Sequence, residues 1–130
     1  MKIVPDIVNN QTVCSIPKTA RVHLAAKVMA DRGVGAVVVT NAEGRLEGIV
    51  TERDIAIKVV AEGLNPDNVT VEDIMTPDPD CLDPNDTALD VLEMMRSRGY
   101  RHLPVVNGNG KVVAMVSVKD LYAALYEHVK

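Results

Sequence analysis

The sequence predicts an α/β (α+β) fold that consists of two tandem β-α-β-β-α repeats packed about a pseudo-two-fold axis. Three observations support this prediction. The chain of 130 residues repeats itself at an offset of 66 to 67 residues, each half shows the same succession of helical and strand patterns, and each half is close to the lower size limit for an independent core. We assign residues 1–67 to the first repeat and residues 68–130 to the second.

The two halves match in a constant register. The segment Val4-Pro5-Asp6 matches Val71-Glu72-Asp73, which lies 67 residues later, and the same offset pairs Cys14 with Cys81. From Met29 onward the offset is 66. Matches that keep this order over two thirds of each half are not expected by chance. The identical pairs at the second offset are Met29/Met95, Arg32/Arg98, Gly33/Gly99, Val39/Val105, Asn41/Asn107, Gly44/Gly110, Val50/Val116 and Asp54/Asp120.

Each repeat begins with an extended segment, around Cys14 or Cys81, and continues with a helix. Apolar residues recur there at helical spacing, and a glycine follows where a left-handed C-cap is expected. Two β-rich runs come next, joined by four residues whose Asn and Gly content favours a hairpin. The helix positions are Val22, Ala25, Ala26 and Met29, then Ala88, Val91, Leu92 and Met95; the caps are Gly33 and Gly99; the predicted strands are 36–40, 48–50, 103–106 and 111–116.

A second helix ends each repeat, from about Thr51 to Ala61 and from about Ser117 to His128. Both sequences are apolar around most of the helix circumference, which is typical of a helix that is covered on more than one side. We therefore expect these helices to form a homodimer surface.

Composition and charge exclude several classes of function. Eighteen acidic and fourteen basic residues give a net charge of -4, the wrong sign for nucleic-acid binding through the phosphate backbone. No apolar run is long enough to span a membrane, and no secretory signal is present, so a cytoplasmic location is expected. Two cysteines are too few for a zinc site or a disulfide framework. We expect no metal, no membrane contact and no nucleic-acid partner.

The motifs Thr51-x-x-Asp54 and Ser117-x-x-Asp120 occupy matching positions at the start of the second helices. They have two interpretations. The structural one is a helix N-cap with an acidic residue at its third position. The functional one is a nucleotide site, in which the carboxylate accepts both hydroxyl protons of a ribose and a nearby cation holds phosphate. Both interpretations can hold together.

The segments 48–55, 101–106 and 114–121 resemble a CBS-domain pair, or Bateman module, of the stand-alone prokaryotic type. Such pairs take their name from cystathionine β-synthase. The resemblance implies a regulatory module that binds AMP, ADP, ATP or S-adenosylmethionine in clefts between the repeats, assembles as a homodimer, requires no cofactor and can act on a regulated protein partner. The two repeats together would form one module.

The resemblance also implies which residues bind the ligand. Each site combines the Asp-bearing segment of one repeat with the strand residues of the other. The strand segment of the second site, residues 34–38, lacks the proline and the arginine that the first site has at Pro104 and Arg101. We therefore expect the first site to bind phosphate better. Site one would comprise Thr51, Arg53, Asp54, Cys81, Tyr100, Arg101, His102 and Pro104; site two would comprise Ser117, Lys119, Asp120, Cys14, Val34 and Val38.

Three functional classes follow from the sequence: a ligand sensor, a ligand-free scaffold for dimerisation or protein interaction, and a catalyst. We find no nucleophile paired with a base, no carboxylate pair on one element and no metal-ligand spacing. An enzyme is therefore not expected. Unfolding with and without adenosine compounds separates the sensor from the scaffold.

Overall fold

The structure is a computed structural model that describes residues 1–9 and 11–130. The chain divides into two compact units. The first-repeat unit comprises Cys14–Pro79, and the second-repeat unit comprises Asp80–Lys130 together with Met1–Val13. The compact units therefore differ from the sequence repeats, because each unit contains the opening segment of the other repeat.

The first-repeat unit contains a four-stranded sheet in the order β1-β2-β3-β4. Strands β1 and β2 are parallel, whereas β2–β3 and β3–β4 are antiparallel. A short helical stretch with π-type hydrogen bonds, Ala56–Val60, continues α2. The elements are β1 Ser15–Ile16, α1 Val22–Arg32, β2 Ala36–Thr40, β3 Leu46–Thr51, α2 Glu52–Ile55, α3 Val71–Ile74 and β4 Thr76–Pro77.

The second-repeat unit repeats this plan around an antiparallel pair of strands, β5 and β6. A parallel bridge between Leu82 and Val105 stands where β1 pairs with β2 in the other unit. A turn at Ile3–Ile7, which contains a cis Val4–Pro5 bond, opens the chain. The elements are α4 Ala88–Arg98, β5 His102–Val106, β6 Val112–Ser117 and α5 Val118–Val129.

Each unit has its own aliphatic core. In the first-repeat unit, Val37, Val39 and Val50 from the central strands are fully buried. In the second-repeat unit, Leu103 and Val105 are buried together with Ile3 from the N-terminal turn. Burial of aliphatic side chains removes apolar surface from water and is the main stabilising contribution.

The two hairpins are closed in the same way. The side-chain oxygen of Asn41 accepts hydrogen bonds from the backbone N–H groups of Glu43 and Arg45, and Asn107 accepts from Asn109 and Lys111. Gly44 and Gly110 adopt positive φ at the end of each turn. These asparagine turns confirm the predicted hairpin connections.

The predicted fold class, mixed α and β with β-α-β-β-α repeats, is confirmed. Gly33 and Gly99 end α1 and α4 in the left-handed conformation, as predicted. The second helix of the first repeat differs in detail, because only Glu52–Ile55 is α-helical. In the described part of the chain, no helix combines the length and apolar character needed to cross a bilayer.

Candidate functional site

The junction of β3 and α2 holds the first predicted carboxylate. The side chain of Thr51 accepts a hydrogen bond from the backbone N–H of Asp54 at 3.1 Å. Oδ2 of Asp54 accepts in return from the backbone N–H of Thr51 at 2.9 Å and from its hydroxyl at 3.1 Å. This reciprocal arrangement is a capping box, which stabilises the first turn of the helix.

The other oxygen of Asp54 has a cationic partner. Nζ of Lys58 lies 3.2 Å from Oδ1 of Asp54 and donates to the carbonyl of Ile74 at 2.9 Å. The Asp54 side chain is only 16% exposed, whereas that of Lys58 is 44% exposed. Both carboxylate oxygens of Asp54 are therefore engaged within the first-repeat unit.

The junction of β6 and α5 repeats the cap without the lysine. The backbone N–H of Ser117 donates to Oδ2 of Asp120 at 2.9 Å, and the N–H of Asp120 donates to the Ser117 hydroxyl oxygen at 3.0 Å. Ala124 occupies the position that matches Lys58. Among the described residues, Oδ1 of Asp120 has no hydrogen-bond or ion-pair partner, so it is available to a ligand hydroxyl.

Each Asp-bearing helix starts beside the loop between the preceding helix and strand. The N–H of Glu52 donates to the carbonyl of Gly35, and the N–H of Val118 donates to the carbonyl of Arg101. Ser117 precedes Val118, so this hydrogen bond places Ser117 close to the backbone of Arg101, although the two residues are assigned to different predicted sites. The side chains of Arg53, Arg101 and Lys119 are exposed and form no ion pair within residues 1–9 and 11–130.

The strand residues of site two lie along β1 and β2. The carbonyl of Cys14 accepts from the N–H of Val38 at 3.0 Å, and the Val38 side chain is fully buried. Cys14 is half-buried against the core. Val34, just before β2, is 37% exposed. The Val38 side chain is therefore fully buried, whereas Val34 exposes part of its side chain.

The strand residues of site one lie along Asp80–Leu82 and β5. The N–H of Leu82 donates to the carbonyl of Pro104 at 2.8 Å, which aligns Cys81 with the β5 strand. His102 opens β5 opposite Ser117. Cys81 is exposed, and partial burial together with the charges of Asp80 and Asp86 raises the pKa of its thiol. The thiol is therefore neutral at pH 7.

Tyr100 takes part in a cluster that the sequence did not predict. Its hydroxyl donates to Oδ2 of Asp80 at 2.5 Å, and Nη1 of Arg98 donates to the same oxygen at 2.6 Å. The hydrogen bonds from Tyr100 and Arg98 hold the pKa of Asp80 below its ordinary value, and the bond to Asp80 raises the pKa of Tyr100. The acidic stretch 78–86 has the composition of a solvated loop. The contacts of Asp80 with Arg98 and Tyr100 join residues 18 and 20 positions apart, and no local sequence pattern indicates them.

The structure brings the predicted residues together within each unit. Thr51 joins Asp54, Ser117 joins Asp120, and Cys14 joins Val38. The wider combinations, three residues of one repeat with strand residues of the other, stay predictions. In the described part of the chain, no group of three or more His, Cys, Asp or Glu side chains is arranged to hold a metal ion.

Comparison with known proteins agrees with this architecture. The family model of the CBS domain matches residues 4–61 and 71–127. An uncharacterized protein of Methanopyrus kandleri is 34% identical over 118 residues, which is 91% of this chain and 60% of that protein. The chain thus spans less than two thirds of this relative, and about 20% of a CBS domain-containing protein of Arabidopsis thaliana.

Two solved structures share the fold. A protein with CBS domains from Burkholderia ambifaria has a TM-score of 0.91 and 30% identity, covering 100% of this chain and 97% of its own. A CBS domain protein from Pyrobaculum aerophilum, complexed with AMP, has a TM-score of 0.85 and 30% identity, covering 98% and 97%. Taken with the duplicated strand-to-helix caps and the repeated β-α-β-β-α order, these matches show that the chain belongs to the CBS domain family and carries two CBS domains in tandem.

Proposed function

We propose that this CBS-domain pair is a regulatory, non-catalytic module that binds an adenosine-containing ligand, namely AMP, ADP, ATP or S-adenosylmethionine. The observation that carries the proposal is the duplicated carboxylate at the strand-to-helix junction, Asp54 and Asp120. Each carboxylate is held in place by its own cap, so its position is fixed before a ligand arrives. Fixed polar groups lose little freedom on binding, which favours affinity.

The chemistry of the junction suits a nucleoside. A carboxylate can accept hydrogen bonds from both hydroxyls of a ribose, and charged acceptors form the stronger hydrogen bonds. Arg53 and Lys119 directly precede Asp54 and Asp120 in the first turn of each helix, and both are exposed, so they can approach a phosphate. The proposed ribose contact is therefore made by aspartate, and the proposed phosphate contacts are made by Arg53, Lys119, Arg101 and His102.

The relative from Pyrobaculum aerophilum supports adenine nucleotides as the first candidates, because that CBS domain protein is complexed with AMP. The two proposed sites differ in their cations and strand residues. Site one has Tyr100, Arg101 and Pro104 where site two has Val34, Gly35 and Val38. We propose that a phosphate-bearing ligand occupies site one first.

The exposed apolar side chains of the last helices support a homodimer. Val60 is 69% exposed and Tyr122 is 74% exposed. Other large apolar side chains are exposed on the same two helical segments, namely Ile57, Tyr126 and Val129. Burial of such residues in a second copy would remove this surface from water. Ligand occupancy is proposed to act on a partner protein through the dimer's conformation, since a ligand shifts the state that it binds better.

Thermal unfolding with a panel of AMP, ADP, ATP, S-adenosylmethionine and GMP tests the proposal. A ligand at a hundredfold its Kd adds roughly 2.7 kcal/mol to the free energy of unfolding. We expect this stabilisation with at least one adenosine compound and its loss in Asp54→Asn or in Asp120→Asn. Asparagine can still accept the capping hydrogen bond, so these variants separate ligand binding from helix capping.

Asp90 supplies a matched control. It caps α4 with the same contacts, since its Oδ2 accepts from the N–H of Thr87 at 2.8 Å and from the hydroxyl at 3.1 Å. It belongs to neither proposed site. Asp90→Asn should change basal stability as the other variants do and leave the ligand response intact. If it removes the response equally, the response reports capping and not ligand contact.

The alternative is a ligand-free scaffold for dimerisation or protein interaction, favoured by the exposed apolar helix surface alone. It predicts no stabilisation by any compound of the panel at millimolar concentration. It also predicts a concentration-dependent dimer, visible by analytical ultracentrifugation, that Tyr122→Asp weakens and that no nucleotide affects.

A further inference from the structure

The cluster of Asp80, Arg98 and Tyr100 joins two segments that contribute to proposed site one. Asp80 precedes Cys81 in the extended segment, and Tyr100 follows the Gly99 cap of α4, two residues before β5. One oxygen of Asp80 accepts from both the tyrosine hydroxyl and the arginine guanidinium, at 2.5 and 2.6 Å. The cluster therefore links the Cys81 segment to the start of β5 through side chains.

The hydrogen bond to Asp80 restrains the orientation of Tyr100. Tyr100 is 36% exposed, so part of its side chain faces solvent and the hydroxyl bond adds to the restraint from packing. Anchoring the hydroxyl restrains the far end of the ring, while the backbone at the Gly99 cap restrains the near end. A tyrosine held at both ends presents an ordered face.

Arg98 keeps the Asp80 carboxylate, which anchors the Tyr100 hydroxyl, in its ionised form. The guanidinium forms an ion pair with Asp80 at the end of α4, and the two hydrogen bonds on the carboxylate lower its pKa. A hydrogen bond to an ionised acceptor is shorter and stronger than one between neutral groups. Asp80 therefore stays an anion, and a strong acceptor for Tyr100, throughout the neutral pH range.

The cluster belongs to one repeat only. The positions that match Asp80, Arg98 and Tyr100 in the first repeat are Val13, Arg32 and Val34. The arginine is retained, whereas the acceptor and the phenol are both replaced by valine. The carboxylate and the phenol are thus both present in the second repeat and both absent from the first, and their contact distinguishes proposed site one from proposed site two.

We propose that Asp80 is a positioning residue of site one, which holds the Tyr100 ring in the orientation that contacts the adenosine ligand. This inference rests on the proposed function. Asp80 acts through Tyr100 and need not touch the ligand. The ring then serves as a preorganised wall for the adenine, and the cost of ordering it is met before binding.

A double-mutant cycle on ligand affinity tests the inference. The Kd of AMP is measured by calorimetry for the wild type, Asp80→Ala, Tyr100→Phe and the double variant. We expect each single variant to bind about tenfold more weakly, the size of a typical coupling between side chains in contact. The double variant should bind no more weakly than either single variant, because both remove the same anchor. Asp80→Asn, which can still accept the hydroxyl, should recover part of the loss.

Glu93→Ala is the matched control. Glu93 forms an exposed ion pair with Arg96 on α4 at 2.9 Å, and it lies outside both proposed sites. This variant removes the carboxylate that pairs with Arg96, an arginine on the same helix as Arg98, and should leave the Kd unchanged. Wild-type affinity in Asp80→Ala, or additive losses in the double variant, would overturn the positioning role while leaving the proposed function in place. Failure of the wild type to bind any adenosine compound would overturn both.

A spectroscopic measurement observes the anchor without a ligand. Tyr100 becomes the sole tyrosine in a Tyr122→Phe/Tyr126→Phe background, so its phenolate absorbance can be titrated directly. The hydrogen bond to Asp80 raises the pKa of Tyr100, and the charge of Arg98 opposes that effect. We expect Asp80→Ala, which removes the acceptor, to lower the titration midpoint toward the ordinary tyrosine value of about 10. An unchanged midpoint would show that the anchor does not form in solution and would overturn the inference.

Discussion

The outer edges of β3 and β6 occupy matching positions in the two repeats but are covered differently. In the first-repeat unit the β4 backbone pairs with β3, with Ile49 opposite Thr76. In the second-repeat unit, a side chain among the described residues binds the matching edge of β6. The amide of Gln11 donates to the carbonyl of Met115 at 3.0 Å and accepts from its N–H at 2.6 Å. The repeated sequence thus specifies the inner pairing of each hairpin, whereas the contacts described at its outer edge come from residues that differ between the repeats.

The close approach of β4 to β3 explains why residue 48 is glycine. A Cβ on Gly48 would lie 2.6 Å from Sδ of Met75 and 3.0 Å from the carbonyl oxygen of Thr76. The matching residue in the second repeat is Ala114, whose Cβ is accommodated in the core at 2% exposure. Glycine is needed where another backbone segment lies close against the strand, and β3 meets this condition at Gly48.

The largest expected difference between matching positions concerns the first turn of the last helices. Leu121 is 4% exposed within the core of its unit, whereas the matching Ile55 is only partly buried. Leu121→Ala should lower the free energy of unfolding by about 2–5 kcal/mol through lost burial and a residual cavity. Ile55→Ala should cost less, because part of its side chain is already in contact with water. Urea denaturation of both variants measures the contrast, and equal losses would contradict it.

The next prediction concerns Gly48. Gly48→Ala should destabilise the protein by about 1–3 kcal/mol, since Met75 and the backbone of β4 must move to admit the methyl group. Ala114→Gly should cost less, about 0.5–1 kcal/mol, from the greater freedom of glycine in the unfolded chain and the loss of a buried methyl. The midpoints of chemical denaturation test both. A neutral Gly48→Ala would mean that β4 does not press against β3.

Local features of this fold could be predicted from the sequence, and long-range ones could not. The caps at Thr51 and Ser117 depend on residues three positions apart, so the Thr/Ser-x-x-Asp pattern contains all the information they need. The asparagine turns are local in the same sense. The division into compact units is a long-range feature, because it depends on which of the two cores buries Ile3 of the N-terminal turn. The apolar residues of this turn are compatible with burial in either core.

The candidate site shows the same limit. The sequence predicted the carboxylates Asp54 and Asp120 because the motif is doubled. It did not predict Lys58 beside one of them, since an i,i+4 lysine on an exposed helix usually indicates only a surface ion pair. It also missed Asp80, whose partners Arg98 and Tyr100 are brought to it only by the packing of α4 on the strands.

A smaller effect tests the cover of the β6 edge. Gln11→Ala removes two hydrogen bonds to the Met115 backbone, and water can replace them at this exposed position. We expect a loss of about 0.5–1.5 kcal/mol and faster amide exchange at Met115. Thr76→Ala is the matched control on β3, because Thr76 pairs through its backbone and its side chain is exposed. Equal effects of the two variants would show that the two hydrogen bonds of Gln11 do not stabilise the β6 edge.

The smallest expected effect distinguishes the two carboxylates. Lys58→Ala removes the ion pair with Asp54 and the hydrogen bond to Ile74. The lysine side chain is 44% exposed, so solvent screening limits the loss of stability to about 0.3–1 kcal/mol, most of it at low salt. Ala124→Lys places the same pair next to Asp120, at the same i,i+4 spacing. Its ammonium should bind the open Oδ1 but gain no carbonyl partner equivalent to Ile74, so its stabilisation should be smaller than the loss in Lys58→Ala. Thermal unfolding at 20 mM and 500 mM NaCl measures both changes. If the two are equal and opposite, the Ile74 contact contributes nothing, and the two carboxylates differ only in the presence of the lysine.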